Sequence, residues 1–189
     1  MIVTDRDKLS LKFIKKFKVA TTDTIAELFY PNLVIARRRL KLLCDNKLIK
    51  RDRDHFTAQY YYYFKKTKQL KHKILLTDFY RELNKTSEIV LFENEFRCEN
   101  IIADGLAVYK INSQPYIVFI EIEISNKGID IEKYENLYRS GKYKRYFPVF
   151  PSIIVITDKK IPYSNLNIIQ VNEDIENLRG SLYEKENVS

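Results

Sequence analysis

Residues 116 to 124, "YIVFIEIEI", restrict the fold more than any other stretch of this chain. Aromatic and β-branched side chains dominate it, so it reads as a strand. Alternation puts Ile117, Phe119, Glu121 and Glu123 on one face and Val118, Ile120, Ile122 and Ile124 on the other. Both faces begin apolar, which demands a place inside a sheet covered on both sides. One face turns acidic only at its far end, as expected where a core opens into a cleft.

The surrounding pattern supplies the rest of that sheet. "TKQLKHKILLTDFYRELNK" spaces Leu70, Ile74, Leu75, Phe79 and Leu83 as a helix. Two strand-like runs follow, "SEIVLFENEFR" and "NIIADGLAVYKI", and Asn112 to Gln114 form a turn into the strand that ends at Ser125. A single helix is expected over "DIEKYENLYRSGKYKRYF", then short strands "SIIVIT" and "LNIIQV", then a helix in "EDIENLRGSLYEKE". The order is helix, three strands, helix, strand, with a strand and a helix appended.

Charge separates this region from what precedes it. Residues 1 to 85 hold 21 Lys and Arg against 9 Asp and Glu, whereas the remainder holds 12 against 16. A basic first half and a mildly acidic second half suggest two jobs, and the basic half should find polyanions, phosphate backbones first. No apolar run approaches the ~18 residues of a spanning helix, and "MIVTDRDKLS" lacks the apolar stretch of a secretory signal, so no membrane association and a cytoplasmic location are expected. Cys44 and Cys98 stand apart with no metal-binding spacing and read as buried thiols.

In the basic half, Leu9, Phe13, Ile14 and Phe17 recur at helical spacing. Thr21, Thr22 and Asp23 offer N-cap and first-turn oxygens to a short second helix that ends near Tyr30, before Pro31. In the third helix, "NLVIARRRLKLLCDN", Leu33, Ala36, Leu40 and Leu43 face a core, leaving Val34, Arg37, Arg38 and Lys41 together outside. Asn46 suits a left-handed C-cap. A basic hairpin follows, with its turn near Asp52 to His55. In "YYYYF", residues 60 to 64, core packing is favoured over base stacking.

Three helices and a basic hairpin follow the winged helix-turn-helix plan, in which the last helix enters the major groove of double-stranded DNA. Arg37, Arg38 and Lys41 would then face DNA, with Lys50, Arg51 and Arg53 on the wing. A basic module that docks an acidic protein is the alternative. The boundary between the two domains is expected at residues 66 and 67.

Asp104 lies within "IIADGLAVY", and a carboxylate among apolar neighbours is costly unless paired or metal-bound. Where the hairpin register aligns them, Asp104, Glu121 and Glu123 converge, and clustered hard oxygens select Mg²⁺ or Mn²⁺. The alternative is a set of strand-end carboxylates in salt bridges with Lys127, Lys133 or Arg139.

Asp104 followed by Glu121-Ile122-Glu123 on the next strand, in this order of elements, resembles the PD-(D/E)XK nuclease-like fold. More narrowly, "LKHKILLTDFYREL", "IIADGLAVY", "FIEIEIS", "EKYENLYR" and "PSIIVIT" resemble the replication-relaxation family of plasmids and mobile elements. The resemblance implies an α+β or α/β chain, with a winged helix over 1–66 and a nuclease-like domain over 67–189. It implies a metal site at Asp104 and Glu121. Glu123 stands where the nuclease pattern has Lys, and Lys133 from the following helix, or Lys127, would supply the cation. Because that fold is often kept as an inactive scaffold, a DNA-binding accessory or regulatory role is read ahead of an Mg²⁺- or Mn²⁺-dependent endonuclease or nickase. A replication or transfer protein is the partner implied, and a homodimer is compatible with either role. A protein-interaction module, its acidic half mimicking DNA, is the remaining alternative.

Overall fold

The computed structural model describes residues 1–54, 57–125 and 128–183. The chain is mixed α+β and divides into two compact units, Met1–Arg81 and Glu82–Ser189. Among the described residues no helix is long and apolar enough to cross a membrane.

The first unit runs α1 (Asp5–Phe17), β1 (Val19–Thr21), α2 (Thr22–Phe29), α3 (Leu33–Asp45), β2 (Lys50–Arg53) and β3 (Tyr60–Tyr63), and then enters α4 (Leu70–Thr86). Its strands form an antiparallel sheet in the order β1-β3-β2. Ile14, Phe17, Ile25, Leu40, Leu43 and Tyr62 are fully buried and make its core. Thr21 caps α2, its hydroxyl oxygen accepting the amide of Thr24 at 3.3 Å, and α2 ends at Tyr30 as Pro31 requires.

Two local expectations give way here. Leu9 is 54% exposed, and the buried stripe of α1 runs through Asp7 and Ser10 instead, because these two polar groups find partners across the unit. Asn46 has φ −88°; the left-handed residue is Lys47, at φ 60°. There the amides of Lys47 and Leu48 donate to the carbonyls of Cys44 and Leu43, both at 2.9 Å, and Asn46 turns its side-chain amide onto the Leu42 carbonyl at 2.8 Å. Strand β1 has only three residues, all buried, too few to show a period.

The second unit continues with β4 (Glu88–Cys98), β5 (Ile101–Ile111), β6 (Gln114–Ile122), α5 (Glu132–Ser140), a 3₁₀ turn (Lys142–Arg145), β7 (Ser152–Ile156), β8 (Ile168–Val171) and α6 (Leu178–Tyr183). The sheet order is β4-β5-β6-β7-β8, with β4, β5 and β6 antiparallel and β7 and β8 parallel to β6. Strand β6 is central, and Val118 to Ile122 are buried on both faces. Asn112 and Ser113 both have positive φ (50° and 68°), the conformation a two-residue hairpin needs to match strand twist. The parallel step from β6 to β7 uses α5 as its crossover.

The single helix expected over residues 130 to 147 is broken at Gly141, whose φ of 66° ends α5 before the 3₁₀ turn. Glycine takes that left-handed conformation without the Cβ clash other residues meet. Cys98 is buried and Cys44 half-buried, both unbridged, and burial raises the pKa of both thiols.

Candidate functional site

Two sets of predicted residues come together, one in each unit. In the first unit, Asn32 starts α3 by accepting the Ile35 amide at 2.9 Å. Ala36, Leu40 and Leu43 are driven into the core, which turns Val34, Arg37, Arg38 and Lys41 outward. On β2, alternation places Arg51 and Arg53 on one face. The two surfaces wall a groove of ≈ 790 Å³ whose lining includes Arg37, Arg38, Lys41, Arg51 and Arg53. Asp23 is the one acid among its described lining residues, and Gln59 donates to it at 2.5 Å.

The hairpin cations are held in place. The Arg51 and Arg53 guanidinium carbons lie 4.8 and 5.8 Å from the centre of the Tyr60 ring, and Arg53 Nε donates to the Ala58 carbonyl at 2.8 Å. Among the described residues no hydrogen bond or ion pair engages the side chains of Arg37, Arg38 or Lys41. Lys50 is not part of this group. It shares the other face of β2 with Asp52, which accepts Tyr63 Oη at 3.0 Å and pairs with Lys66 at 2.9 Å. His55, placed by the sequence at the hairpin turn, lies outside the described residues. Of the tyrosine run, Tyr62 and Tyr63 are core, whereas Tyr60 is 39% exposed beneath the two arginines.

In the second unit, Asp104 and Glu121 sit where β5 and β6 cease to pair. The ladder reaches Gly105↔Ile120, and beyond it the Asp104 carboxylate accepts the Ile122 amide at 2.8 Å in place of a backbone carbonyl. Glu121 is buried at 9% exposure. Its Oε1 accepts Lys133 Nζ at 2.7 Å and also the hydroxyl of Tyr134, both from the first turn of α5. Burial pushes the Glu121 carboxyl above its ordinary pKa; the Lys133 ammonium and the two hydrogen bonds pull it back, and the charge of Asp104 pushes it up again. Tyr134 is fully buried, and burial and the adjacent carboxylate drive its phenol pKa far up, so it acts as a fixed hydrogen-bond donor.

Glu123 does not join them. It follows the end of β6, and its Oε1 accepts the amide and hydroxyl of Ser125 at 2.7 and 2.6 Å. The expected meeting of three acids is therefore a meeting of two acids, a lysine and a tyrosine. The chain turns at Ser125, and that local amide is closer to hand than the cleft. Lys127 lies outside the described residues, and Arg139 pairs with Glu135 at 2.9 Å instead of with the cluster.

Two carboxylates suit a small hard cation: Mg²⁺ keeps several waters and takes one or two carboxylates together with substrate phosphate oxygens. Among the described residues no group of three or more His, Cys, Asp or Glu could hold a metal unaided. Lys133 also lines a groove of ≈ 580 Å³ along α5, with Asn136, Ser140 and the turn at Glu99 to Ile101.

Sequence reasoning missed Tyr134, whose helical spacing with Leu137 marks a core ring and says nothing of its hydroxyl. It also missed Tyr60 as the support for Arg51 and Arg53, although cross-strand proximity to Arg53 follows once the hairpin is registered. Comparison with family models, characterised proteins and solved structures finds nothing that matches this chain.

Proposed function

We propose that this chain is a DNA-binding accessory or regulatory protein of a plasmid or other mobile element, a winged helix followed by a PD-(D/E)XK-like domain. The observation that carries the DNA-binding part is the gathering of five cations, from α3 and from β2, around one groove. A helix flanked by a basic hairpin is the arrangement with which winged helices enter the major groove and follow the phosphates. The order of elements from α4 onward, one helix, an antiparallel triplet, a crossover helix and a parallel strand, supports the nuclease-like reading. The mobile-element context rests on the resemblance alone.

Gel-shift titration against duplex DNA tests this. Arg37→Ala with Arg38→Ala is expected to weaken binding by about 1–3 kcal/mol per lost contact and to flatten the salt dependence. Equal affinity of parent and variant, or no duplex binding by the parent, overturns the proposal.

Metal-dependent DNA cleavage is the second reading, favoured by the meeting of Asp104, Glu121 and Lys133. Asp104 and Glu121 would hold Mg²⁺ or Mn²⁺, which when bound supplies an activated water at neutral pH. Lys133 would move its charge from Glu121 toward a phosphate oxygen, and Tyr134 would keep Glu121 oriented. Supercoiled plasmid should then be nicked with either metal and left intact by Asp104→Asn. Absence of cleavage by the parent with both metals excludes this reading.

A further inference from the structure

We propose that the second unit carries its own contact for single-stranded nucleic acid, formed by Tyr138, Tyr146 and the cations of the 3₁₀ turn after α5. This rests on observations separate from the groove beside α3.

Residues 136 to 157 contain four cations, Arg139, Lys142, Lys144 and Arg145, and no acid, in a half of the chain where acids outnumber bases. Arg139 is paired with Glu135, and Arg145 lies 3.5 Å from Glu99. Among the described residues the ammonium groups of Lys142 and Lys144 have no hydrogen bond or ion pair, and both side chains are exposed.

Interleaved with these cations are aromatic rings that the core does not absorb. Tyr138 and Tyr146 are 51% and 48% exposed. Tyr138 is nevertheless held firmly: it stacks on Tyr143 with centroids 6.0 Å apart and planes 11° apart, and meets the edge of Phe150 at 5.2 Å. Tyr143 in turn stands at 89° to Phe150, 5.0 Å away. Tyr146 lies one turn further, its amide donating to the Tyr143 carbonyl at 2.9 Å and its hydroxyl reaching Glu99 at 3.4 Å. The rings are thus fixed before any ligand arrives, which lowers the ordering cost of binding.

A rigid, half-exposed aromatic ring beside unpaired cations complements an unpaired base beside its phosphate. Within a duplex the bases are stacked on each other and offer no free face, so the rings would go unused there. An acidic protein would use the lysines and would leave the rings without a planar partner. Single strands use both.

Fluorescence anisotropy of the full chain with labelled oligothymidine and oligouridine of about 20 nucleotides, longer than one such site, tests this and distinguishes DNA from RNA. Tyr138→Ala with Tyr146→Ala is expected to weaken binding about tenfold or more, and the corresponding phenylalanine variants to restore most of it, since stacking needs the ring and not the hydroxyl. Lys142→Ala with Lys144→Ala should lower affinity and reduce the salt slope by about 0.7 per lost phosphate contact. Arg37→Ala with Arg38→Ala should keep the single-strand affinity within about threefold while losing duplex binding, so the two proposals fail separately. Oligonucleotide binding unchanged by loss of both tyrosines, or abolished by the α3 variants alone, overturns this proposal.

Discussion

Replacing Asp7 by alanine is expected to destabilise the first unit by about 3–5 kcal/mol, the cost of removing one partner from a buried ion pair. Asp7 is fully buried at the start of α1. Its carboxylate accepts the Thr4 amide at 2.7 Å, Tyr30 Oη at 2.8 Å and Arg39 Nε at 3.2 Å, and a second Arg39 nitrogen bonds it as well. The Thr4 hydroxyl returns the cap by accepting the Asp7 amide at 3.3 Å. One carboxylate therefore ties α1 to the end of α2 and to α3. Alanine would strip Arg39 of its carboxylate, leaving it the Ile2 carbonyl at 2.9 Å, and would leave Tyr30 Oη only Ser10 Oγ at 3.3 Å.

Burial alone would raise the Asp7 pKa, but the hydrogen bonds from Arg39, Thr4 and Tyr30 outweigh it and hold the carboxyl well below the usual carboxylate range. The sign of the pH dependence follows. A depressed folded-state pKa gives stability that is complete above the unfolded value of about 3.9 and is lost as pH falls through the folded value. The gap between parent and Asp7→Ala should be full at neutral pH and should narrow only in strong acid. Denaturant titration combined with hydrogen exchange across α1 to α3 measures both. A variant within about 0.5 kcal/mol of the parent at pH 7, the range of ordinary surface changes, would show that this network does not hold the unit.

Phe119→Ala should cost the second unit a similar amount, about 3–5 kcal/mol. Phe119 is fully buried, with ring centroids of Tyr134 at 5.4 Å, Phe147 at 5.5 Å, Phe150 at 6.2 Å and Phe96 at 6.3 Å. It lies two residues before Glu121 on β6, so the cavity opens beside Tyr134, the donor that orients Glu121. Exchange protection of β5 to β7 should fall together with global stability. Phe119→Leu keeps most of the volume and should lose much less. Equal losses for alanine and leucine would point to a requirement for ring geometry over filling.

What could be read without coordinates was whatever a single element's period reveals. Strand β6 was legible because both of its faces begin apolar, and α3 because one stripe of four apolar residues leaves Arg37, Arg38 and Lys41 on another side. The Asp7 network was illegible, although "TDRD" at residues 4 to 7 has capping-box spacing, because its other partners, Tyr30 and Arg39, lie 23 and 32 positions away. Alternation put Glu121 and Glu123 together on one face, but it assumes that the strand continues, and β6 ends at Ile122, before Glu123. The break at Gly141 was visible as a glycine, yet Tyr143 and Phe147 prolong the helical spacing beyond it and hid the stop. Tyr134 shows the general limit: periodicity announces a ring in the core and is blind to what its hydroxyl meets.

The outer side of α3 has a consequence for how such a chain can change over generations. Val34, Arg37, Arg38 and Lys41 are exposed and lend nothing to the packing that Ala36, Leu40 and Leu43 secure. Substitution at those four sites shifts folding free energy by only about ±0.5 kcal/mol. On the DNA-binding reading proposed above, preference for one ligand over another is free to drift by single mutations while the scaffold beneath stays the same, and a new target need not wait for a compensating change elsewhere.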